Sequence, residues 1–204
     1  MKRSIIILFM MFPFLMSGRE RTDCESKGFS FGCEWGYIAS FHYGEHHNFF
    51  SEEGYRVDYR NERFRYHTNA EVMLHIGYDL NQSWNISLNA GYAGIFDMHH
   101  AIPISLRATR MFRRNSYGDR WFTFLDLGSG IDLKKETQAL LCGKLGGGYR
   151  IALSRESGLD FLFSYRMTLA HPEVSYDGYP VRLEKINRNN AYISALSVGI
   201  RLTF

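Results

Sequence analysis

The sequence has few cysteines and no dominant charge of one sign. Its three cysteines, Cys24, Cys33 and Cys142, match no metal-binding spacing, and an odd number cannot all pair within the chain. The 24 Lys and Arg residues nearly balance the 21 Asp and Glu residues, which gives a formal net charge of +3. Because charges of both signs are scattered along the chain, the composition gives no indication of nucleic-acid binding.

Beyond the first residues, the chain also lacks a helical period, a long apolar run and any internal repeat. Its length of 204 residues suits one domain, and 45% hydrophobic with 16% aromatic residues excludes a disordered polymer.

The N-terminus has the pattern of a secretory signal. Lys2 and Arg3 precede an apolar run from Ile5 to Met16, and the small pair Ser17-Gly18 follows. The run is shorter than the roughly 20 residues that span a bilayer as a helix, so a signal anchor is the alternative. We predict a signal peptide at 1–18, an N-terminal periplasmic lead at 19–30 and the folded domain at 31–204.

The rest of the chain is dominated by a period of two, which is typical of strands with one apolar face. Eight segments have this pattern: "FGCEWGYIASF", "FRYHTNAEVMLHIGYDL", "WNISLNAGYAGIF", "AIPISLRATRMF", "WFTFLDLGSGIDL", "ALLCGKLGGGYRIAL", "GLDFLFSYRMTLA" and "AYISALSVGIRLTF". Short links at 81–83, 113–119 and 154–157 alternate with long links at 43–63 and 170–190 and with intermediate links at 97–100 and 134–138. The pattern predicts an all-β, eight-stranded antiparallel up-and-down barrel with its short links at one end.

Alternation alone does not say which face meets water, since a soluble barrel has an apolar interior and a membrane barrel an apolar exterior. Trp35, Trp84 and Trp121 all lie on the apolar face, each near the start of an upgoing strand. We expect them to form an aromatic girdle at one height, as at a membrane interface.

The polar face is rich in glycine and in charges of mixed sign, which suits a closed, side-chain-filled lumen. We expect its ion-pair network to comprise Glu34, Glu71, Arg107, Asp126, Lys144, Arg150, Asp160, Arg166 and Arg201. Within it, Arg201 is expected to reach Glu34 and Asp160, Arg150 is expected to face Asp160, and Glu71, Arg107, Asp126, Lys144 and Arg166 form a second layer. A solvated outer face with chance balance is the alternative. A lumen filled in this way predicts no useful channel, so a small porin is disfavoured.

The chain ends on a large apolar residue at every second position. Phe204, with Leu202, Ile200, Val198 and Leu196 before it, resembles the C-terminal signature of Gram-negative outer-membrane barrels, which their assembly machinery recognises. Residues 31–204 resemble small eight-stranded barrels of the OmpA-transmembrane and OmpX type. The stretches "IPISLRATRMF", "WFTFLDLGSGI" and "GKLGGGYRI" resemble uncharacterised outer-membrane barrel proteins of Bacteroidetes. The resemblance implies a fold, an outer-membrane location and contact with outer-membrane lipid and lipopolysaccharide, but no single activity.

We therefore expect a non-catalytic barrel, structural or in contact with a partner through its outer loops. The link at 43–63 mixes aromatic residues with arginines, which are favoured at protein contacts. The alternation from Phe64 to Ala70 also suggests a strand that extends above the membrane and offers an edge to an extracellular partner strand. The alternative is an ordered loop that shields the barrel from lipopolysaccharide.

Two further functions stay open. Barrels that deacylate lipid A use a histidine with a serine two residues later, and none of the eight histidines has one; another His/Ser/Asp arrangement at the rim of an outer-leaflet enzyme is the alternative. His46, His47, His99 and His100 lie at the long-link end, with His171 nearby, and form the candidate site for a metal or haem. Histidine pairs in polar loops that are only solvated are the competing interpretation, and no other cofactor is expected.

Overall fold

The structure is a computed structural model that describes residues 28–51, 53–96, 99–112, 118–133, 137–154, 157–172, 174–176 and 179–204. The predicted signal peptide at 1–18 and the lead up to residue 27 lie outside the described residues. The first strand begins at Phe29, two residues before the predicted start of the barrel.

Eight long strands form a closed antiparallel barrel. They are β1 (Phe29–Phe50), β2 (Arg56–Asp79), β3 (Trp84–Phe96), β4 (His99–Met111), β5 (Arg120–Asp132), β6 (Thr137–Ala152), β7 (Gly158–Pro172) and β10 (Ile186–Thr203). Each pairs with its neighbours in sequence order, and β10 closes the ring on β1. Two short strands, β8 (Ser175–Tyr176) and β9 (Tyr179–Pro180), and a 3₁₀ helix at Leu183–Lys185 lie between β7 and β10. The predicted eight-stranded up-and-down barrel is confirmed.

The register fixes the tilt of the strands. Following the paired residues once around the ring leads from Gly28 through Asp79, Asn85, Thr109, Phe124, Gly146, Ser164 and Ser197 to Ile38. The ring therefore closes with an offset of ten residues along β1 (38 − 28 = 10). With a rise of about 3.3 Å and a strand spacing of about 4.8 Å, this offset tilts the strands by about 40°, which is usual for barrels.

The outward face of the barrel is an apolar band. Leu106, Leu127 and Leu145 are 56%, 58% and 64% exposed, and aliphatic or aromatic residues occupy most outward positions of the eight strands. From Phe29 to Phe41 on β1, the band is about 30 Å tall at this rise and tilt. Among the described residues, no helix is both long enough and apolar enough to span a membrane.

The lumen is filled by side chains, and two apolar clusters lie in it beside the charged residues. Met111, Phe122, Phe124 and Leu162 form a buried apolar cluster inside the barrel. A second cluster closes the other end, with Ile95, Ala101, Leu140, Ala170, Ala191, Ile193 and the packed ring of Tyr43. The charged residues fill the rest of the lumen, so the predicted side-chain-filled lumen holds apolar clusters as well as ion pairs.

The link predicted at 43–63 is largely not a loop. β1 continues to Phe50 and β2 begins at Arg56, so the two strands form a hairpin that rises beyond the barrel. A bulge between Ser40 and His42 shifts their register and reverses the inward and outward positions of β1 above it. Because this shift interrupts the period of two, the alternation in the sequence ends near the bulge although the strand continues.

Candidate functional site

One ion cluster in the lumen is centred on Asp160. Its carboxylate accepts hydrogen bonds from Arg150, at 2.5 and 2.7 Å, and from Arg201 Nε, at 3.1 Å. Three neighbouring strands, β6, β7 and β10, supply these residues through direct register partners. Asp160 is 0% exposed, so its charge is balanced by the two guanidinium groups and not by bulk water.

A larger ion cluster lies nearer the centre of the lumen. Arg107 donates to Glu34 at 2.6 and 3.2 Å and to Asp126 at 2.9 and 3.0 Å. Lys144 Nζ lies 2.7 and 2.8 Å from the carboxylate oxygens of Glu71 and 4.0 Å from Glu34.

Arg166 Nη1 completes this cluster with a hydrogen bond of 3.1 Å to Glu71. The predicted members therefore meet in two groups, with one correction: Glu34 hydrogen-bonds Arg107 and not Arg201, although Glu34 and Arg201 are register partners. The carboxylate of Glu34 on β1 meets Arg107 on β4 across the lumen.

Aromatic and backbone contacts fill the remaining lumen around these charges. The guanidinium of Arg107 lies 4.6 Å from the ring centroid of Phe124, a cation–π contact that replaces water on that side. At Gly36, a Cβ atom would lie 2.7 Å from Cγ of Glu71, so the Glu71 side chain occupies the space that a larger residue on β1 would need. The chemistry available here is structural ion pairing in a sealed core.

The three tryptophans do not share one height. Trp84 is the first residue of β3 and Trp121 the second of β5. Trp35 lies six positions above Phe29, between Val72 and Ile200 in the middle of the apolar band. The expectation of a girdle that includes Trp35 is therefore corrected, because Trp35 is the seventh residue of β1, whereas Trp84 and Trp121 stand at the start of their strands.

A ring of aromatic residues does surround the end of the barrel where β1 begins and β10 ends. Phe29 packs on Tyr78 with ring centroids 5.1 Å apart, and Trp121 packs on Tyr149 at 4.9 Å. Arg110, the one charged residue among the described outward positions of the apolar band, lies here. Its guanidinium is 5.8 Å from the Trp84 ring and 5.9 Å from the Phe112 ring. This location at the rim agrees with the small penalty expected for a charge near an interface.

Phe204 closes the barrel at the same end. Its amide donates to the carbonyl of Phe31 at 2.8 Å, and the amide of Phe31 donates back at 3.0 Å. Their rings are stacked with centroids 5.7 Å apart. The last residue of the chain is thus a structural element of the β1–β10 seam, which is independent of its predicted role as an assembly signal.

At the opposite end, three strands project beyond the ring. β2 pairs with β3 only from Glu71 to Asp79, and β10 pairs with β7 only from Ala191 to Thr203. Beyond these limits β1 still pairs with both β2 and β10, up to Phe50 and Ile186. We call this three-stranded sheet the protrusion, and its β2 edge from Arg56 to Ala70 forms no ladder with any described strand other than β1.

Polar contacts hold the outer face of the protrusion. His46 Nε2 lies 2.9 Å from Asp58 Oδ1, and the His46 hydrogen bond holds the pKa of the Asp58 carboxyl below its usual value. Glu62 accepts hydrogen bonds from Arg60 at 2.6 Å and from Tyr192 at 3.0 Å. These two donors, Arg60 first, lower the pKa of Glu62.

The inner face carries a second set of contacts. Tyr43 donates to Glu45 at 3.2 Å, and Asn61 donates to the other oxygen of that carboxylate at 3.1 Å. Burial, with the nearby Glu45 carboxylate, raises the pKa of Tyr43 to about 12. His47 lies 3.0 Å from Asn189 on β10, so both faces of the protrusion are ordered.

The tip of the protrusion is capped by the segment between β7 and β10. The ring of Tyr176 packs edge-on against Phe49 at 5.5 Å, and its hydroxyl lies 2.9 Å from that of Tyr55. Phe49 is buried, whereas Phe50, Tyr55 and Tyr176 are each more than 40% exposed. The sequence did not indicate the parts played by Tyr176, Asn189 and Tyr192, since their partners are far away along the chain.

The predicted four-histidine site is not assembled by the described residues. His46 and His47 are adjacent on β1 and lie on opposite faces of the protrusion. His100 stacks on Tyr92 on β3, with ring centroids 5.4 Å apart, while the side chain of His99 lies outside what the structure describes. Over the described part of the chain, no three His, Cys, Asp or Glu residues are grouped to hold a metal ion.

Comparison with known protein families and with characterised proteins finds no match to the sequence. Solved structures of outer-membrane proteins resemble the fold. The Neisserial surface protein A is 15% identical with a TM-score of 0.49, over 89% of this chain and 100% of that one. OprG from Pseudomonas aeruginosa is 10% identical with a TM-score of 0.48, over 87% and 97%. Ail from Yersinia pestis is 16% identical with a TM-score of 0.40, over 88% and 100%.

The closed antiparallel ring of eight strands is the fold that the predicted resemblance to small eight-stranded outer-membrane barrels implies. At these identities, the likeness does not extend to activity or partners. The resemblance to Bacteroidetes barrels stays a prediction.

Proposed function

We propose that this chain is an integral outer-membrane protein of a Gram-negative bacterium that binds an extracellular polypeptide through its protrusion. The apolar band supports the membrane location, since a closed ring of strands leaves no unpaired backbone groups facing hydrocarbon. The N-terminal signal pattern and the apolar C-terminal strand agree with export and with recognition by the barrel assembly machinery. Lipid and lipopolysaccharide are the expected surroundings of the band.

The observation that carries the proposed interaction is the β2 edge from Arg56 to Ala70, which forms a ladder with β1 and with no other described strand. Exposed sheet edges present rows of N–H and C=O groups to which an extended segment adds as a further strand. The outward side chains Phe64 and Tyr66 are 81% and 65% exposed. They offer an apolar contact beside the backbone ladder.

A second copy in the same membrane is a poor partner for this edge. Two copies related by an axis along the membrane normal have β2 strands that run in the same vertical sense, with tilts of about 40° in opposite directions. The two edges then cross and cannot form an extended ladder.

The charge of the edge favours an acidic partner segment, because its four arginines exceed its two carboxylates. These residues are Arg56, Arg60, Arg63, Arg65, Asp58 and Glu62. The partner is therefore expected to be a different polypeptide that presents an extended, acidic segment with apolar residues.

The test is a selection of 15-residue peptides, displayed on phage, against the refolded protein in lipid nanodiscs. Binders are mapped by amide hydrogen exchange of Arg56 to Ala70. In a strand with one free edge, every second amide points away from its partner and exchanges fast. We expect a bound peptide to protect this fast alternate set and to leave the amides bonded to β1 unchanged.

Two variants of exposed residues supply the controls. Phe64→Lys/Tyr66→Lys places charges on the edge, and we expect it to weaken peptide binding at least 10-fold. Tyr55→Lys/Tyr176→Lys changes the tip by the same chemistry and should leave binding unchanged. Protection confined to the tip, or binding insensitive to the edge variant, contradicts the edge as the binding surface. Recovery of the protein outside the outer-membrane fraction of cells contradicts the location.

A further inference from the structure

Several buried polar atoms in the lumen lack a hydrogen-bond partner among the described residues. They are Nδ1 of His75, Oγ of Ser87, both amide atoms of Asn89, Oγ1 of Thr109 and Nη1 of Arg201. Each of the five residues is at most 4% exposed. Buried polar groups in folded proteins are nearly always satisfied by protein atoms or by ordered water, so a group of such atoms needs a physical account.

These residues lie together on one side of the barrel wall. His75 on β2 is the direct register partner of Asn89 on β3. Ser87 on β3 faces Arg107 on β4, two positions from Thr109, which is a diagonal distance that side chains can bridge.

Arg201 reaches the same level from β10 on the other side of β1. A Cβ atom at Gly32 on β1 would lie 2.6 Å from Cε1 of His75 and 1.8 Å from the carbonyl oxygen of Leu202. The imidazole therefore lies over Gly32, against the β10 backbone next to Arg201. The register thus brings the residues that carry the unpartnered atoms to one side of the lumen, where Arg201 belongs to the Asp160 cluster and Ser87 faces Arg107.

The chemistry of this lining identifies its ligand. Arg201 Nη1 and Asn89 Nδ2 are donors, Asn89 Oδ1 is an acceptor, and the two hydroxyls and the imidazole nitrogen serve either way. An anion leaves the amide oxygen unsatisfied, and a cation is repelled by the guanidinium. Water donates and accepts at once, and it matches the whole set.

We propose that the lumen contains a hydrated chamber lined by His75, Ser87, Asn89, Thr109 and Arg201, which binds ordered water between the two ion clusters. At about three hydrogen bonds for each buried water, the six atoms account for about two molecules. The water satisfies the free nitrogen of Arg201 and links the two clusters in one network.

The test uses the uniformly labelled protein refolded in nanodiscs of deuterated lipid. Magnetisation transfer from water to the side-chain amide protons of Asn89 reports a bound water within contact distance. We expect cross-peaks of the sign that marks long residence, and we expect them to persist in Ser87→Ala/Thr109→Val, where neither hydroxyl can relay the transfer. Absence of the cross-peaks in the wild type overturns the proposal.

The urea midpoint of unfolding gives an independent test, because one substitution is expected to raise it for a dry chamber and to lower it for a hydrated chamber. Thr109→Val replaces the hydroxyl by a methyl group of the same shape. In a dry lumen this change removes an unsatisfied polar group and raises the urea midpoint of unfolding, whereas in a hydrated chamber it removes a partner of the water and lowers the midpoint. Thr123→Val, at an outward position on β5, is the matched control. A midpoint raised above that of the control overturns the proposal.

Discussion

Removal of the Arg107 guanidinium is expected to be among the most destabilising single changes in the barrel. The residue is 0% exposed and donates four hydrogen bonds to Glu34 and Asp126. Arg107→Met keeps much of the apolar stem but leaves two buried carboxylates without their main counter-charge. Breaking a buried pair in this way destabilises a protein by about 3–5 kcal/mol. Lys144, 4.0 Å from Glu34, offsets only part of this loss.

The measurement is reversible urea unfolding of the protein in lipid vesicles, followed by tryptophan fluorescence. At an m-value of about 2 kcal/mol/M, a loss of about 4 kcal/mol lowers the midpoint by about 2 M. Arg110→Met is the matched control, since Arg110 faces outward at the rim, and its change should be below about 1 kcal/mol.

A compensated variant separates pairing from packing. Glu34→Leu/Arg107→Met/Asp126→Leu removes the carboxylates together with the guanidinium, and we expect it to recover most of the lost stability, because apolar replacement of a whole buried ionic group is often neutral. A loss below about 1 kcal/mol for Arg107→Met, or equal losses for Arg107→Met and Arg110→Met, refutes the reasoning that this pairing supports the lumen.

Three further outcomes follow from the contacts. The hydrogen bond with His46 lowers the pKa of Asp58, so this pair stabilises the protrusion above pH about 4 and the stabilisation is lost as the pH falls through the folded-state pKa. Amide exchange near Asp58 should therefore speed up on acidification. In Asp58→Asn this acid-dependent increase should be absent. Deletion of Phe204 removes both backbone hydrogen bonds to Phe31 and should slow folding into vesicles, as followed by the gel shift of heat-modifiable barrels, and normal folding rates contradict the closing role. Because the ion clusters and Phe124 fill the lumen, planar bilayers should show no large single-channel conductance, and a stable large conductance contradicts the sealed interior.

The number and order of the strands were predictable because each strand has one face towards lipid and one towards the lumen. A period of two is a local property that is visible in the sequence. The inward positions of the charged residues followed from the same parity. The relative heights of residues on different strands could not be predicted from this parity, because they depend on the ten-residue offset of the closed ring, which no local pattern encodes. Trp35 was expected at the level of Trp84 and Trp121, but it lies six positions above the start of β1.

The ends of the strands could not be predicted from the sequence either. The bulge near Ser40 reverses the parity of β1, and the strand above it carries polar residues on both faces. Such a segment has the sequence pattern of a loop. Phe122 and Phe124 were missed as lumen residues because a buried apolar layer in an otherwise charged interior gives no signal of its own. Prediction of the hydrogen-bond partner of Glu34 required the direction of its side chain across the lumen, which only the assembled barrel defines.

The account depends most on the orientation of the two faces of the sheet. Single nitroxide labels at Leu74, Leu106, Leu127 and Leu145, each outward and at least half exposed, measure it directly in the refolded protein. Continuous-wave EPR should find all four more accessible to oxygen than to a water-soluble nickel chelate, while a label at Tyr55 on the protrusion should show the reverse. Higher accessibility of the four leucine positions to the nickel chelate, with a protein that stays folded and monomeric without detergent, contradicts the orientation and the membrane location together.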